Sequence, residues 1–314
     1  MSMYFNDLSL AGWSYEKGDL QITLRDHITD KRILSRNPVE HTFVYEDEDE
    51  WRERLQYHCK KVADMGNMKD EDINAFLGVH NGAHKHIEGA CPEVMAAFPK
   101  SNGFQMDFTL GCASIIVGAQ LAGLHFSREN INNIVMGSVQ MTTQWTENYN
   151  DGNAVFADGI GALGLKKSDQ GHQIKYTSVA SNSEFRDMFV LDNNGIYQLA
   201  NLQKGRDLTE FMISSFSNQL RESCITLKTI PKNIDYIAIS CSTYAATKRV
   251  LDAINFPLEK TGIECLTKVP HMGTNDLIFQ LEHGLEKGLI EQGSKILMTG
   301  TSAGFSIATM ALEW

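Results

Sequence analysis

Short β-rich runs alternate with amphipathic helical segments along most of this chain, and the same order of elements occurs twice. In the first half, strands are predicted over 75–79, 104–110 and 133–137, and helices over 92–98 and 113–124. In the second half, strands are predicted over 236–240, 264–269 and 295–299, and helices over 247–254 and 276–285. This alternation predicts an α/β fold built from βαβ units, with parallel sheets covered on both faces.

The two halves correspond at a nearly constant offset. Gly284 lies 161 residues after Gly123, and the same offset carries Cys112 onto Gly273. Because α/β folds also repeat such units without duplication, the pattern leaves internal duplication open. If the halves are pseudo-symmetric, the N-termini of the two long helices meet, and Cys112 faces the segment 271–276.

Composition excludes several classes of protein. A net charge of −11 argues against nucleic acid as the main partner, since phosphate backbones require clustered Lys and Arg. No apolar run approaches the roughly 18 residues of a membrane span. The six cysteines form no C-x-x-C pair, so we expect neither a metal site nor a disulfide scaffold. Residues 1–10 lack the features of a signal peptide, and we therefore expect the protein to reside in a reducing cytoplasm.

Cys112 lies where a strand-like run ends and a helix of small residues begins. Free backbone N–H groups and the helix dipole stabilise an anion at such a position, which favours the thiolate that attacks acyl carbonyls. The alternative is a small, buried and inert cysteine.

Four stretches, in this order and spacing, resemble the thiolase superfamily and most closely its ketoacyl-ACP synthase III branch. They are Leu110-Gly111-Cys112-Ala113-Ser114, Phe156-Ala157-Asp158-Gly159-Ile160-Gly161-Ala162, Asn194-Gly195-Ile196-Tyr197-Gln198-Leu199-Ala200 and Ser302-Ala303-Gly304-Phe305-Ser306. Together they span roughly residues 70 to 314, whereas the first 60 residues match poorly.

The resemblance implies a five-layered αβαβα thiolase fold made of two duplicated halves, 1–175 with the cysteine and 176–314 with the His/Asp loop and oxyanion turn. It also implies a dimer, homomeric or with another ketosynthase-like subunit, that loads an acyl group from coenzyme A or an acyl carrier protein onto Cys112. These thioesters are substrates, and no tightly bound cofactor is expected. By analogy, the backbone N–H groups of Cys112 and Ala303 form the oxyanion hole.

The chain departs from the condensing members of the branch at two motifs. Residues 240–250 contain no histidine where those members carry His-Gln-Ala-Asn, and Tyr244 takes its place by spacing to Arg249. Their later asparagine aligns with Gly273, two residues before Asn275. The spacing from His271 to Asp276 instead resembles atypical members from antibiotic pathways, which transfer or select acyl groups and whose carboxylate is proposed to orient the histidine.

Structural interpretations of the same residues stay open. His271 is also compatible with a satisfied core histidine, and Asp276 with a helix N-cap. His80, His84 and His86 are placed by the resemblance in a loop near the dimer interface. The Asp158-Gly159-Ile160-Gly161 run lacks the third glycine and the strand-loop-helix setting of a dinucleotide loop.

Three functions are therefore compatible with the sequence. The first is an acyltransferase in which Cys112 takes the acyl group and His271, oriented by Asp276, deprotonates an acceptor. The second is a 3-oxoacyl-ACP synthase III-like enzyme that forms a carbon–carbon bond with an already activated β-keto thioester. The third is a degenerate, non-catalytic partner subunit of a heteromeric ketosynthase.

Overall fold

The computed structural model describes residues 1–47, 50–81, 89–127, 131–303 and 305–314. In these ranges the strands are β1 (Ser2–Tyr4), β2 (Leu8–Lys17), β3 (Leu20–Thr23), β4 (His41–Val44), β5 (Ala75–Asn81), β6 (Phe104–Phe108), β7 (Asn133–Gln140), β8 (Gly159–Lys167), β9 (His172–Ser181), β10 (Phe189–Leu191), β11 (Tyr197–Leu199), β12 (Tyr236–Ser240), β13 (Lys295–Ser302) and β14 (Ser306–Glu313). The α-helices are α1 (Lys31–Arg36), α2 (Trp51–Met65), α3 (Cys91–Ala96), α4 (Ser114–Phe126), α5 (Gly205–Thr226), α6 (Tyr244–Ala253) and α7 (Asn275–Glu286).

One mixed sheet of 10 strands organises the molecule, in the order β12-β13-β14-β9-β2-β8-β7-β5-β6 with β1 paired to β9. β5 pairs in parallel with β6 and β7, and β12 pairs in parallel with β13. β8 and β14 run antiparallel to β7 and β13. The prediction of parallel pairing is thus correct only for strands that are connected through crossover helices. β8 and β14 are antiparallel because each follows a chain reversal that contains no such helix.

Helices α4 and α7 lie at the centre, between the two halves of the sheet. Their apolar residues pack with alternate strand residues from both halves, such as Met136 and Met298. The preceding residues face outwards, Val135 towards α2 and α3 and Leu297 towards α5 and α6. This gives the five-layered αβαβα arrangement, because each half of the sheet buries both of its faces.

The predicted strand over 264–269 is wrong, because the chain forms a 3₁₀ helix over Gly262–Thr267 there. At the edge of β12, the side-chain amide of Gln280 accepts from Ile239 N at 2.7 Å and donates to Ile239 O at 3.0 Å. The backbone groups of Ile239 that another strand would pair with are therefore already satisfied by a side chain from α7, and Ile237 forms an isolated bridge with Thr261.

The repeat predicted from the sequence appears in the helix positions. α4 begins at Ser114 and α7 begins at Asn275, which preserves the predicted offset. The division at 175/176 falls within β9 and stays a prediction. Among the described residues, no helix combines the length and apolar character needed to cross a membrane.

Candidate active site

The starts of the two central helices meet, as the repeat predicted. Gly111 adopts φ +52°, a left-handed conformation that glycine accepts without strain, and turns the chain from β6 into α4. Ser114 holds this turn, because its hydroxyl accepts from Leu110 N at 2.8 Å and donates to Gly111 O at 2.7 Å. Across the interface, Ile115 N donates to the hydroxyl of Thr274 at 3.0 Å.

A cysteine, a histidine and an aspartate form a continuous chain of contacts at this junction. The Sγ of Cys112 lies 2.8 Å from Nε2 of His271. The other ring nitrogen, Nδ1, lies 2.5 Å from Oδ2 of Asp276. Oδ1 of Asp276 accepts from Met272 N at 2.7 Å, which fixes the carboxylate. This order of groups, a nucleophile followed by a base and an orienting acid, is that of a catalytic triad.

Ser240, the last residue of β12, extends the chain of contacts. Its hydroxyl donates to Oδ2 of Asp276 at 2.5 Å and lies 3.3 Å from Nδ1 of His271. The sequence analysis did not select this residue. A signal was available, because functional side chains concentrate at the carboxyl ends of parallel strands.

The histidine is held in a charged and buried environment. The side chains of His271 and Asp276 are 1% and 2% exposed. Burial by itself lowers the pKa of His271, but the negative charges of Cys112 and Asp276 outweigh burial and raise this pKa well above its ordinary value of 6.5. The geometry therefore favours a protonated His271 imidazole in hydrogen-bond contact with the Cys112 sulfur.

The loop 155–158 fixes the position of His271. His271 N donates to Val155 O at 3.1 Å, and Ala157 N donates to His271 O at 3.0 Å. The ring of Phe156 packs against the imidazole with their centroids 5.6 Å apart. The carboxylate of Asp158 accepts from the N–H and the hydroxyl of Thr143, at 3.1 and 2.7 Å. The 158–161 motif that was compared with a dinucleotide loop therefore begins with a residue that stabilises this loop.

A cavity of about 300 Å³ opens onto the thiol. Its described lining consists of Thr109, Leu110, Gly111, Cys112, Gln140, Thr142, Trp145, Asp151, Phe156, Phe189, Tyr197, Ser242, His271, Gly273, Thr301, Ser302, Ala303 and Phe305. The turn at Gly111 packs closely against the end of β13. A Cβ built on this glycine would lie 3.1 Å from Ser302 Cβ and 3.6 Å from Ala303 N. Ala303 therefore lies in the same wall as Cys112.

A second cavity, of about 410 Å³, adjoins the first. Phe189, Ser242, Thr301 and Phe305 belong to the walls of both cavities. Exposed arginines also line the second cavity, namely Arg36, Arg206 and Arg249. Three guanidinium groups therefore lie beside this second cavity, although Arg206 is paired with Glu210 at 3.1 Å.

Comparisons with known proteins agree with this fold. Residues 226–314 match the family model described as 3-oxoacyl-[acyl-carrier-protein (ACP)] synthase III C terminal. The beta-ketoacyl-[acyl-carrier-protein] synthase III of Aquifex aeolicus is 19% identical over 302 residues, which cover 95% of this chain and 92% of the relative. The enzyme of the same name from Clostridium beijerinckii is 23% identical over 269 residues, which cover 82% of each chain.

Solved structures extend the likeness over nearly the whole chain. The crystal structure of 3-oxoacyl-[acyl-carrier-protein] synthase III from Aquifex aeolicus superposes with a TM-score of 0.85 at 17% identity, covering 98% of this chain and 100% of that one. A variant of OleA from Xanthomonas campestris gives a TM-score of 0.83 at 14% identity, covering 99% and 100%. The chain thus has the thiolase fold of these synthase III and OleA structures, and its residues 226–314 are similar in sequence to the C-terminal part of the synthase III enzymes.

In this synthase III-like chain, Tyr244 does not reach the thiol cavity. It is the first residue of α6, is partly buried, and packs with the apolar cluster beneath α5 and α6. It is not among the described residues that line the cavity. Tyr244 was predicted, from its spacing to Arg249, to occupy the position of the synthase histidine. The structure does not bring it to Cys112.

Asn275 is also turned away from the thiol of this synthase III-like protein. Its Nδ2 donates to Gly159 O at 2.8 Å, which directs the side chain towards β8. Asn275 is likewise not among the described residues of the cavity wall. Gly273, which the sequence resemblance placed at the synthase asparagine position, lines the cavity but contributes no side chain. His84, His86 and Gly304 lie outside the described residues, while His80 falls within β5.

Proposed function

We propose that this protein is an acyltransferase that carries its acyl group on Cys112 and delivers it to a nucleophilic acceptor. The observation that carries this proposal is the unbroken contact from Cys112 Sγ through His271 to Asp276, at 2.8 and 2.5 Å. The donors are an acyl-ACP or an acyl-CoA, and no tightly bound cofactor takes part.

In the loading step, the Cys112 thiolate attacks the thioester carbonyl of the donor. The backbone N–H groups of Cys112 and Ala303 stabilise the developing oxyanion. Collapse of the intermediate breaks the bond to the donor sulfur. The imidazolium of His271 gives its proton to that leaving thiolate, so the step ends with a Cys112 thioester, a free donor thiol and a neutral imidazole.

Acylation itself prepares His271 for the second step. The thiolate is the strongest of the influences that raise the pKa of His271, and a thioester carries no charge. Burial, which lowers this pKa, then counts for more, and the imidazole stays neutral. A neutral His271 held by Asp276 accepts the proton of an incoming hydroxyl, amine or thiol as that group attacks the thioester. Collapse of the intermediate breaks the bond between the acyl carbon and Cys112 Sγ, so the acylated acceptor leaves and the step ends with a Cys112 thiolate beside a protonated His271.

The positions that would support decarboxylative condensation are differently occupied. By resemblance, condensing members hold the enolate with a histidine and an asparagine, whereas here Tyr244 faces the core and position 273 is glycine. The amide of Asn275 is engaged by Gly159. These placements favour acyl transfer over decarboxylation of a malonyl donor.

The arginines beside the second cavity support the proposed donors. Phosphopantetheine and coenzyme A carry phosphates, which guanidinium groups bind through charge-assisted hydrogen bonds. Arg36, Arg206 and Arg249 lie on a route that shares its inner wall with the Cys112 cavity. A donor phosphate held at this entrance would let the attached arm extend towards the thiol.

We also propose that the protein is a cytoplasmic dimer that serves secondary-metabolite or fatty-acid-type biosynthesis. The cysteines that the structure describes are all free thiols, which supports a reducing compartment. Strand β6 ends the order of the main sheet and exposes Phe104, which supports pairing with a second copy.

Intact-protein mass spectrometry after incubation with a panel of acyl-CoAs and acyl-ACPs tests the proposal. We expect a mass increase that maps to Cys112 and is lost in Cys112→Ala. An unmodified wild-type cysteine across the whole panel would overturn the proposal. Product mass then separates transfer from carbon–carbon bond formation, and turnover by a complex containing Cys112→Ala would instead indicate a non-catalytic subunit.

A further inference from the structure

A buried carboxylate that the proposed reaction does not use faces the same cavity. Asp151 is 4% exposed and lines the cavity together with Cys112 and His271. It opens a tight turn, in which its Oδ1 accepts from Asn153 N at 2.9 Å and from Ala154 N at 2.7 Å. Both hydrogen bonds that the structure gives this carboxylate end on Oδ1, which leaves Oδ2 for another partner.

The charge of the cavity wall restricts that partner. Among the described lining residues, Asp151 is the one carboxylate, and there is no lysine or arginine. Burial raises the pKa of Asp151 to about 6, while the two backbone N–H groups and His271 oppose this rise. The carboxylate is therefore mostly ionised at neutral pH. A buried anion of this kind attracts hydrogen-bond donors and cations and repels other carboxylates.

The surrounding rings define the rest of the subsite. Trp145, Phe156 and Tyr197 line the cavity with Asp151, and the rings of Trp145 and Tyr197 pack with their centroids 4.8 Å apart. Leu199 N donates to Asp151 O at 2.9 Å, which ties the strand that carries Tyr197 to the carboxylate turn. An apolar body would therefore pack on the rings while one polar group points at Asp151.

We propose that Oδ2 of Asp151 binds a second hydroxyl or ammonium group of the acyl acceptor, so that the enzyme selects neutral or cationic polyols, amino alcohols or polyamines. This inference rests on the proposed acyl transfer, in which one acceptor group reacts with the Cys112 thioester. Asp151 acts as a specificity determinant, because it holds the non-reacting group while His271 takes the proton of the reacting one.

Discharge of an acyl-enzyme by matched acceptors tests this subsite. Cys112 is acetylated with p-nitrophenyl acetate, so the test does not depend on the natural donor. Hydrolysis of the acetyl-enzyme is compared with its discharge by ethylenediamine against ethylamine, and by ethylene glycol against ethanol. We expect the wild type to prefer the bifunctional acceptor by about tenfold or more after correction for its two equivalent groups, because a hydrogen bond to a charged group is worth about that much.

Two variants distinguish the loss of the Asp151 charge from a general effect of removing one negative charge. Asp151→Asn keeps the oxygen that forms the turn, since asparagine makes the same turn, but removes the charge. We expect Asp151→Asn to lose the preference while its acetylation by p-nitrophenyl acetate stays within about twofold of wild type. Glu147→Gln makes the same charge change at an exposed residue outside the cavity wall and should keep the preference.

The outcomes are distinct. An equal preference in Asp151→Asn and wild type, or no preference in wild type, would overturn the assignment. Failure of natural donors to load Cys112 would overturn the proposed function alone. If Asp151→Asn does not fold, the wild-type glycol preference is measured against pH. Ionisation of Asp151, with His271 and Tyr197 beside it, predicts that this preference declines below about pH 6, and a flat profile would overturn the subsite.

Discussion

A Cβ on Gly273 would lie 2.1 Å from Oε1 of Gln140. Gln140 is the last residue of β7, is fully buried, and occupies the space into which a side chain at position 273 would extend. Gly273 also has φ +61°, a left-handed conformation. Gln140 therefore already fills the space that an asparagine side chain at position 273 would need.

Gly273→Asn should therefore destabilise the protein without restoring a condensing site. Asparagine tolerates the left-handed conformation, so the cost comes from displacing Gln140, and overpacking of this kind costs about 1–3 kcal/mol. Urea unfolding measures the change. Gly171→Asn is the matched control, because Gly171 has φ +81° and nothing within 4 Å of a built Cβ. Equal losses at both positions would contradict this account.

Ser240→Ala should reduce acyl transfer by about tenfold or more, since a hydrogen bond to a charged group contributes about 1.5–3 kcal/mol. The variant removes the donor to Asp276 Oδ2, so the pH dependence of transfer should shift as well. Ser223→Ala is the control, because Ser223 is fully buried and its hydroxyl has no partner among the described residues. Unchanged rate and pH profile in Ser240→Ala would exclude a positioning role.

The sequence predicted the parts of this site that lie close to a helix start. The helix offset placed Cys112 opposite the segment that contains His271 and Asp276, because helix starts follow from local pattern. Tyr244 and Asn275 were selected by spacing alone. Their side-chain directions depend on packing with β8 and with the cluster under α5 and α6, which no local pattern reveals.

Ser240, Gln140 and Asp151 were missed for a related reason. Each is a common polar residue whose role comes from the element that it faces, and not from its sequence neighbours. The predicted strand over 264–269 is wrong, and the backbone of Ile239 at the edge of β12 is instead satisfied by a glutamine side chain from α7, a tertiary contact that overrides a β-rich local sequence.

Alkylation with iodoacetamide should modify Cys112 selectively among the six cysteines. Burial raises the pKa of Cys91, Cys241 and Cys265 to about 12 each, and it also raises the pKa of Cys59 and Cys224. Cys112 is half-buried and lies against His271. Peptide mapping after brief labelling should give one site, absent in Cys112→Ala. Comparable labelling of a buried cysteine in the folded protein would contradict this prediction.

Protonation of His271 should make a pH-dependent contribution to stability. Burial opposes this protonation, but Cys112 and Asp276 hold the folded pKa well above 6.5, the ordinary value that the unfolded chain retains. Because the folded pKa is the higher one, the stabilisation is complete below about pH 6.5 and is lost as pH rises through the folded pKa.

Urea unfolding of wild type and His271→Gln across pH checks this sign. The difference in the free energy of unfolding should be largest in mild acid and should fall as pH rises, because only the wild type binds the additional proton in the folded state. Titration of the His271 imidazole by NMR provides a direct control. Its pKa should decrease in Asp276→Asn and again when Cys112 is acylated, since each change removes a negative charge beside the ring. A stability difference that grows with pH would refute the raised pKa of His271.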